Sequence, residues 1–421
     1  MKQSIFFTAV KSFFATAVLL IAFQAQAQQL PGGLTPQQVN AHIIDPVELR
    51  GVSTDGEEQE RVMPFVFRPR IQFNTAPKLN VNAFGQELHA KIKDHVTGYA
   101  MQLRQNGAPA YTLIWNWAQT PADASQGWKL DTRMHVASVS KYITAVAMVK
   151  LLDSKGISLD AKIINYLPAH WVKGPKVNLV SFRQLLNHTS GFASNSSASN
   201  YNFMKQMVAA GAPSNGSYDY ENMNFGLCRL LLAVINGNIP QNFNVGPITD
   251  QVWDAVGINA YKSYCQTHIF NPAGVPNASF VPLAGFKNAL AYKFPHNNED
   301  GWNSGDLASM AGGAAWRLSV DDLLKVMDHV RRRNTIIPAA RAQQMLDQKL
   351  GIDQAIDTPA GRIYNKNGSW SSGGRSEKSV IYYFPNGMEL VLLVNSKISV
   401  DDWSLRGIVK DLFLDNLQGG N

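Results

Sequence analysis

Where the two hydrophobic periods fall is what most constrains this 421-residue chain. β-type runs lie toward both ends: Gly98 to Arg104 and Tyr111 to Trp117, then Ser379 to Phe384 and Met388 to Asn395. A hairpin signal sits inside each pair, Asn106-Gly107 in the first and Pro385-Asn386-Gly387 in the second. The stretch between them has the helical period. Val139 to Leu152 is apolar on nearly all sides, which marks a buried helix, and Gly156 ends it. Ser181-Phe182-Arg183-Gln184 is a capping box that opens a short helix stopping at His188-Thr189-Ser190-Gly191. Asn224 to Ile235 and Ser319 to Val330 are further helices. Phe84, Leu88, Ile92 and Val96 set a helix before the first strands, and Trp403 to Leu417 forms an amphipathic last one. Strands at both ends with helices between imply one sheet assembled from both ends of the chain. The expected fold class is α/β of the α+β type: an antiparallel sheet with flanking helices plus an inserted all-helical lobe.

Residues 1–27 read as a secretory signal peptide. Lys2 and Lys11 give the positive start, Phe13 to Phe23 the apolar run, and Ala25-Gln26-Ala27 the small-x-small cleavage signal. That run is too short to span a bilayer, and no later stretch is long enough, so no stable membrane span is expected after cleavage. The expected location is the periplasm or the exterior. Residues 28–80, rich in proline and glycine, read as an irregular N-terminal arm, and residues 81–421 as the single functional domain. Cys228 and Cys265 either form one disulfide or are two buried thiols. The formal charge is +7, spread along the chain without a basic run, which argues against nucleic acid as a partner. It leaves room for an anionic surface or substrate.

Several chemistries lack their signatures. There is no GxSxG, no HExxH, no GxGxxG and no GxxxxGK[ST], so neither a metal nor a nucleotide cofactor is supported. Ser138-Val139-Ser140-Lys141 is the only S-x-x-K, at the start of the buried helix. Positions i and i+3 share a helical face, so the Lys141 amine can reach the Ser138 hydroxyl. Burial would disfavour the charged form of Lys141 and make it a general base. A helix cap with a snorkelling lysine is the bland alternative. Tyr220-Glu221-Asn222 is the only Y-x-N: Tyr220 could relay a proton to a leaving group and Asn222 could hold a substrate amide. Lys366-Asn367-Gly368, just before the C-terminal hairpin, supplies a positive charge and a glycine that lets substrate approach the strand.

In that order, the set resembles the serine β-lactamase and penicillin-binding-protein superfamily, and within it the class C β-lactamase-related serine hydrolases. The likeness runs from about Phe84 to Leu417 and includes the Leu185 to Gly191 element and the run AGGAAWRLSVDDLLKVM. The resemblance implies a β-lactamase/transpeptidase-like fold, with Ser138 as acyl-forming nucleophile and Lys141 and Tyr220 sharing proton transfers. Asn222 and Lys366 would orient substrate. The backbone N–H groups of Ser138 and Ser369, the latter following Gly368, would form the oxyanion hole, and His188 would brace the site. Two positions depart from the pattern. Asn367 stands where Thr or Ser is usual, and Glu221 stands where a small residue is common, facing either solvent or the cleft. The expected activity is therefore an exported, cofactor-free serine hydrolase of esters or amides, an esterase or D-amino-acid peptidase, with a small-molecule or peptide substrate. The alternatives are a class C-like β-lactamase and a non-catalytic penicillin-binding or sensor protein.

Overall fold

Asn106 and Gly107 both take positive φ, 51° and 81°, as a two-residue turn between right-twisted strands requires. They join β1 (Gly98–Gln105) to β2 (Ala108–Gln119), beside which lies the short β3 (Gln126–Gly127). Four more strands follow late in the chain: β4 (Gln354–Thr358), β5 (Gly361–Ser372), β6 (Arg375–Tyr383) and β7 (Met388–Val394). The seven form one antiparallel sheet in the order β3-β2-β1-β7-β6-β5-β4. β1 and β7 pair at its centre, from Tyr99 opposite Val394 to Gln105 opposite Met388. The sheet is thus built from both ends of the chain. β4 and most of β5 were not singled out by periodicity, because polar residues on both faces of Asn365 to Ser369 hide the alternation. This computed structural model describes residues 30–42, 76–194, 196–296, 298–399 and 404–419. The leader at 1–27, most of the arm and Trp403 lie outside them.

Strand alternation decides what each face meets. Tyr99, Met101, Leu103, Val380, Tyr382, Leu390 and Leu392 pack beneath α1 (Val81–Ile92) and, at the far end of the chain, the helix Leu405–Asp415. Their neighbours Ala100, Ile381, Tyr383, Val391 and Leu393 join the core of the helical lobe. That lobe is centred on α2 (Ser140–Ser154), buried along nearly its whole length. Around it stand α3 (Phe182–Leu186), α4 (Tyr201–Ala210), α5 (Asn222–Ile235), α6 (Thr249–Cys265) and α7 (Val320–Arg331). Ser181 and Ser319 cap α3 and α7 with reciprocal boxes through Gln184 and Asp322. Among the described residues, no helix is long and apolar enough to cross a membrane. Cys228 on α5 and Cys265 on α6 are buried free thiols, so the disulfide alternative is not taken.

The arm is not irregular throughout. Thr35 and Gln38 form a capping box with Pro36 at the first helical position, and the short helix Pro36–Ala41 packs on α6. His42 Nε2 then lies 2.9 Å from Asp254 Oδ2, whose other oxygen takes a hydrogen bond from Arg229 at 3.0 Å. At the arm's other end, Lys78–Leu79 pairs with Leu417–Gln418.

One core position runs against the rest. Glu389 on β7 is fully buried, and neither carboxylate oxygen finds a hydrogen-bond partner among the described residues. Burial pushes its carboxyl up to about 7, with Arg331 opposing and Asp328 adding to the shift. A carboxyl raised on folding contributes its stability below its unfolded value and loses it as pH rises through the folded one. Glu389→Gln should therefore raise the melting temperature at pH 8, by on the order of 2–3 kcal/mol of stability, and do little at pH 5. Thermal melts of both chains at the two pH values measure this, and an equal gain at each would refute it.

Candidate active site

Ala137 carries the positive φ of 46°, strained for a residue with a Cβ, and opens a single 3₁₀ turn, Ala137–Val139, ahead of α2. Ser138 lies at the middle of that turn and is half-buried. Lys141, one helical turn on, is fully buried, and its Nζ lies 2.8 Å from Ser138 Oγ. Two more oxygens meet the amine: Asn222 Oδ1 at 2.6 Å and the Gly313 carbonyl at 2.9 Å. Asn222 Nδ2 donates to the Ser197 carbonyl at 2.7 Å, which fixes the amide so that Oδ1 faces the lysine. Asn222 Oδ1 and the Gly313 carbonyl can only accept. Of these oxygens, the Ser138 hydroxyl is the one with a proton to give. A neutral Lys141 therefore donates twice and turns its lone pair onto Ser138 O–H. The Asn222 side chain is engaged at both ends and holds the lysine.

Tyr220 comes from the loop before α5. Its ring has Lys141 Nζ at 4.9 Å and Lys366 Nζ at 5.1 Å from the centroid, and Lys366 donates to its hydroxyl at 3.3 Å. His188 lies against the same ring, centroids 4.2 Å apart. His188 Nδ1 accepts from the Glu221 N–H at 3.1 Å, so the Nε2 tautomer is the one present. Burial, and then the nearby Lys141 and Lys366, hold His188 well below its ordinary value, so it stays neutral. Glu221 faces neither solvent nor the cleft. Its buried carboxylate accepts from the Ser194 N–H and hydroxyl, each at 2.6 Å, and ties that loop to the start of α5.

β5 supplies the third element. Strand alternation turns Tyr364, Lys366, Gly368 and Trp370 toward the helical lobe. A Cβ on Gly368 would lie 2.4 Å from Ser379 Oγ, 2.6 Å from the Val136 carbonyl and 3.0 Å from the Ser138 nitrogen. The backbones of β5 and the Ser138 turn can approach this closely only because that position is glycine. Asp353, just before β4, accepts from Lys366 Nζ at 2.6 Å, from the Asn367 N–H at 2.8 Å and from Arg406 at 3.2 Å. Ser369 N–H projects from the same strand edge as Asn367 N–H, but beyond the end of β4, beside the Ser138 turn. The seven residues singled out in the sequence therefore come together around Ser138 and Lys141. Sequence reasoning missed Asp353 and Gly313. Asp353 has no motif around it, and a carbonyl such as that of Gly313 has no side-chain signature, although its Ala-Gly-Gly run stood out.

A family model described as Beta-lactamase matches residues 81–406. The Bacillus subtilis (strain 168) protein PbpX, which carries a penicillin-binding-protein name, is 25% identical over 169 residues, 37% of either chain. The match thus spans little more than a third of that relative. Among solved structures, a class C beta lactamase from Rhodobacter sphaeroides superposes with a TM-score of 0.60 at 17% identity, covering 79% of this chain and 99% of that one. A D-amino acid amidase from Ochrobactrum anthropi SV3, solved with L-phenylalanine amide, gives 0.59 at 17% identity, covering 80% and 98%.

Proposed function

This chain belongs to the β-lactamase family of serine hydrolases, and we propose that it is an exported enzyme that cleaves ester or amide bonds through an acyl-enzyme on Ser138. The observation that carries this reading is the 2.8 Å contact between a buried lysine amine and the Ser138 hydroxyl, while Asn222 Oδ1 and the Gly313 carbonyl engage the same amine as acceptors. Lys141 takes the proton as Ser138 Oγ attacks the carbonyl carbon. The developing oxyanion meets the N–H groups of Ser138 and Ser369, and one such donor contributes roughly 3–4 kcal/mol. Tyr220, with the Lys141 and Lys366 amines both against its ring, passes a proton to the leaving amine or alkoxide. Water then attacks the acyl carbon with the same groups in reverse roles. The leader sequence supports export.

Within the family we favour neutral esters or D-amino-acid amides over β-lactams. The Lys366 ammonium, the group that would grip a substrate carboxylate, is already held by Asp353, and Asn367 brings no hydroxyl. The solved D-amino acid amidase of the same fold is compatible with that choice. The test uses two probes on the mature chain. A fluorophosphonate is expected to add its mass to the peptide carrying Ser138, and a chromogenic cephalosporin is expected to turn over poorly or not at all. Rapid cephalosporin hydrolysis would transfer the assignment to a β-lactamase. No adduct with either the fluorophosphonate or a fluorescent penicillin would transfer it to a binding or sensor role.

A further inference from the structure

Beneath the site lie three titratable or charged side chains that the mechanism does not use: His135, Glu377 and Arg317, each at most 1% exposed. His135 Nε2 accepts from the Ala315 N–H at 3.2 Å. A backbone amide can only donate, so the ring proton is on Nδ1, where it meets Glu377 Oε2 at 3.2 Å. Arg317 approaches the other Glu377 oxygen at 4.0 Å and bonds to Asn303 and Ser304. Burial holds His135 below its ordinary value against the pull of Glu377, which agrees with a neutral ring.

Ala315 has a φ of 101°, a conformation that L side chains resist. Something must hold it there, and the bond to His135 does so. The segment around Ala315 is laced to the first turns of α2. Gly312 O accepts from Thr144, Gly313 O from Lys141 Nζ, and Ser140 Oγ from the Trp316 N–H. The His135 ring also stands edge-on to Trp370 at 5.3 Å. Trp370 follows Ser369 on β5 and lies opposite Glu377 on β6. One buried pair therefore touches the segment that aims the lysine and the strand that carries an oxyanion donor.

We propose that His135, oriented by Glu377, is a positioning residue for acyl transfer: it holds the strained Ala315 turn so that the Gly313 carbonyl aims Lys141 at Ser138. The inference rests on the hydrolase reading above. Tyr220 and neutral His188 also lie near Lys141, Lys366 lies against the same Tyr220 ring, and the variants below leave them in place.

The experiment compares wild-type mature chain with His135→Phe, His135→Gln and Glu377→Gln. Each is followed by the rate of Ser138 labelling with a fluorophosphonate across pH, by kcat and KM on an activated ester, and by a crystal structure. Phenylalanine fills the space without an acceptor. It should slow labelling by about 10²-fold through misplacement of the lysine, in kcat rather than KM. Removing an acceptor that favours the ammonium should also move the acid limb of the rate profile to lower pH. Glutamine can accept from Ala315 and donate to Glu377, so His135→Gln should recover most of the rate. Glu377→Gln should fall between. A folded His135→Phe that labels at the wild-type rate with an unmoved profile overturns the proposal. If that variant does not fold, a Glu377→Gln profile identical to wild type overturns it. If the wild type itself takes no label, the hydrolase reading fails. The positioning claim is still decided, by whether the contact between Lys141 and the Gly313 carbonyl survives in the crystal structures of the folded variants.

Discussion

Ser138→Ala is expected to remove turnover, by roughly 10⁴- to 10⁶-fold, and to leave the melting temperature almost unmoved. The substitution deletes one half-buried hydroxyl and no packing volume of consequence. Lys141→Ala should cost nearly as much activity, and the double variant no more than either single one, because the two groups act as a unit. Stability separates them. Removing Lys141 leaves Asn222 Oδ1 and the Gly313 carbonyl without the donor they share, at about 1–3 kcal/mol for each buried acceptor left unmet. Steady-state kinetics on an activated ester and thermal melts measure both quantities. Sizeable turnover by Ser138→Ala would end the acyl-enzyme assignment.

Asp353→Ala is expected to destabilise the fold by about 3–5 kcal/mol, because it removes the buried anion that two buried cations, Lys366 and Arg406, share. Burial alone would push the Asp353 carboxyl up. Lys366, Arg406 and the Asn367 N–H more than reverse that and hold it below its ordinary value. A carboxyl depressed on folding contributes stability above its unfolded value, and the contribution fades as pH falls through the folded one. The loss should therefore be full at neutral pH and shrink in strong acid. Asp353→Asn keeps an acceptor and should be milder. Activity should fall in both variants, since the same carboxylate anchors the strand carrying Lys366 and Ser369. Denaturant titrations at pH 7 and in acid decide this. An equal loss at both would mean that charge is not the cause.

The architecture was legible wherever one face of an element is apolar. The buried helix after Ser138, the capping boxes at Ser181 and Ser319 and both outer hairpins read directly from spacing. β5 gave no periodic signal because its middle is polar, and only Lys366 to Gly368 stood out, as a motif in a β-like setting. The arm helix at Pro36 escaped among prolines, although Thr35 to Gln38 held a complete cap. Within the site, side chains with their own chemistry could be picked out by motif. Partners contributed by backbone, such as Gly313, or by an isolated acid, such as Asp353, become visible only when the chain is folded. Glu221 shows the converse: its charge suggested a solvent-facing or a cleft-facing side chain, yet it is buried and serves two donors on Ser194.

The pairing of β1 with β7 has a consequence for synthesis. β1 is made early and must wait for nearly three hundred more residues before its second neighbour exists. Until then one side of the strand offers unmet amides and carbonyls to any extended peptide nearby. A chain truncated before Met388 would lack that neighbour altogether, so the sheet's central edge stays open until the final hairpin is made.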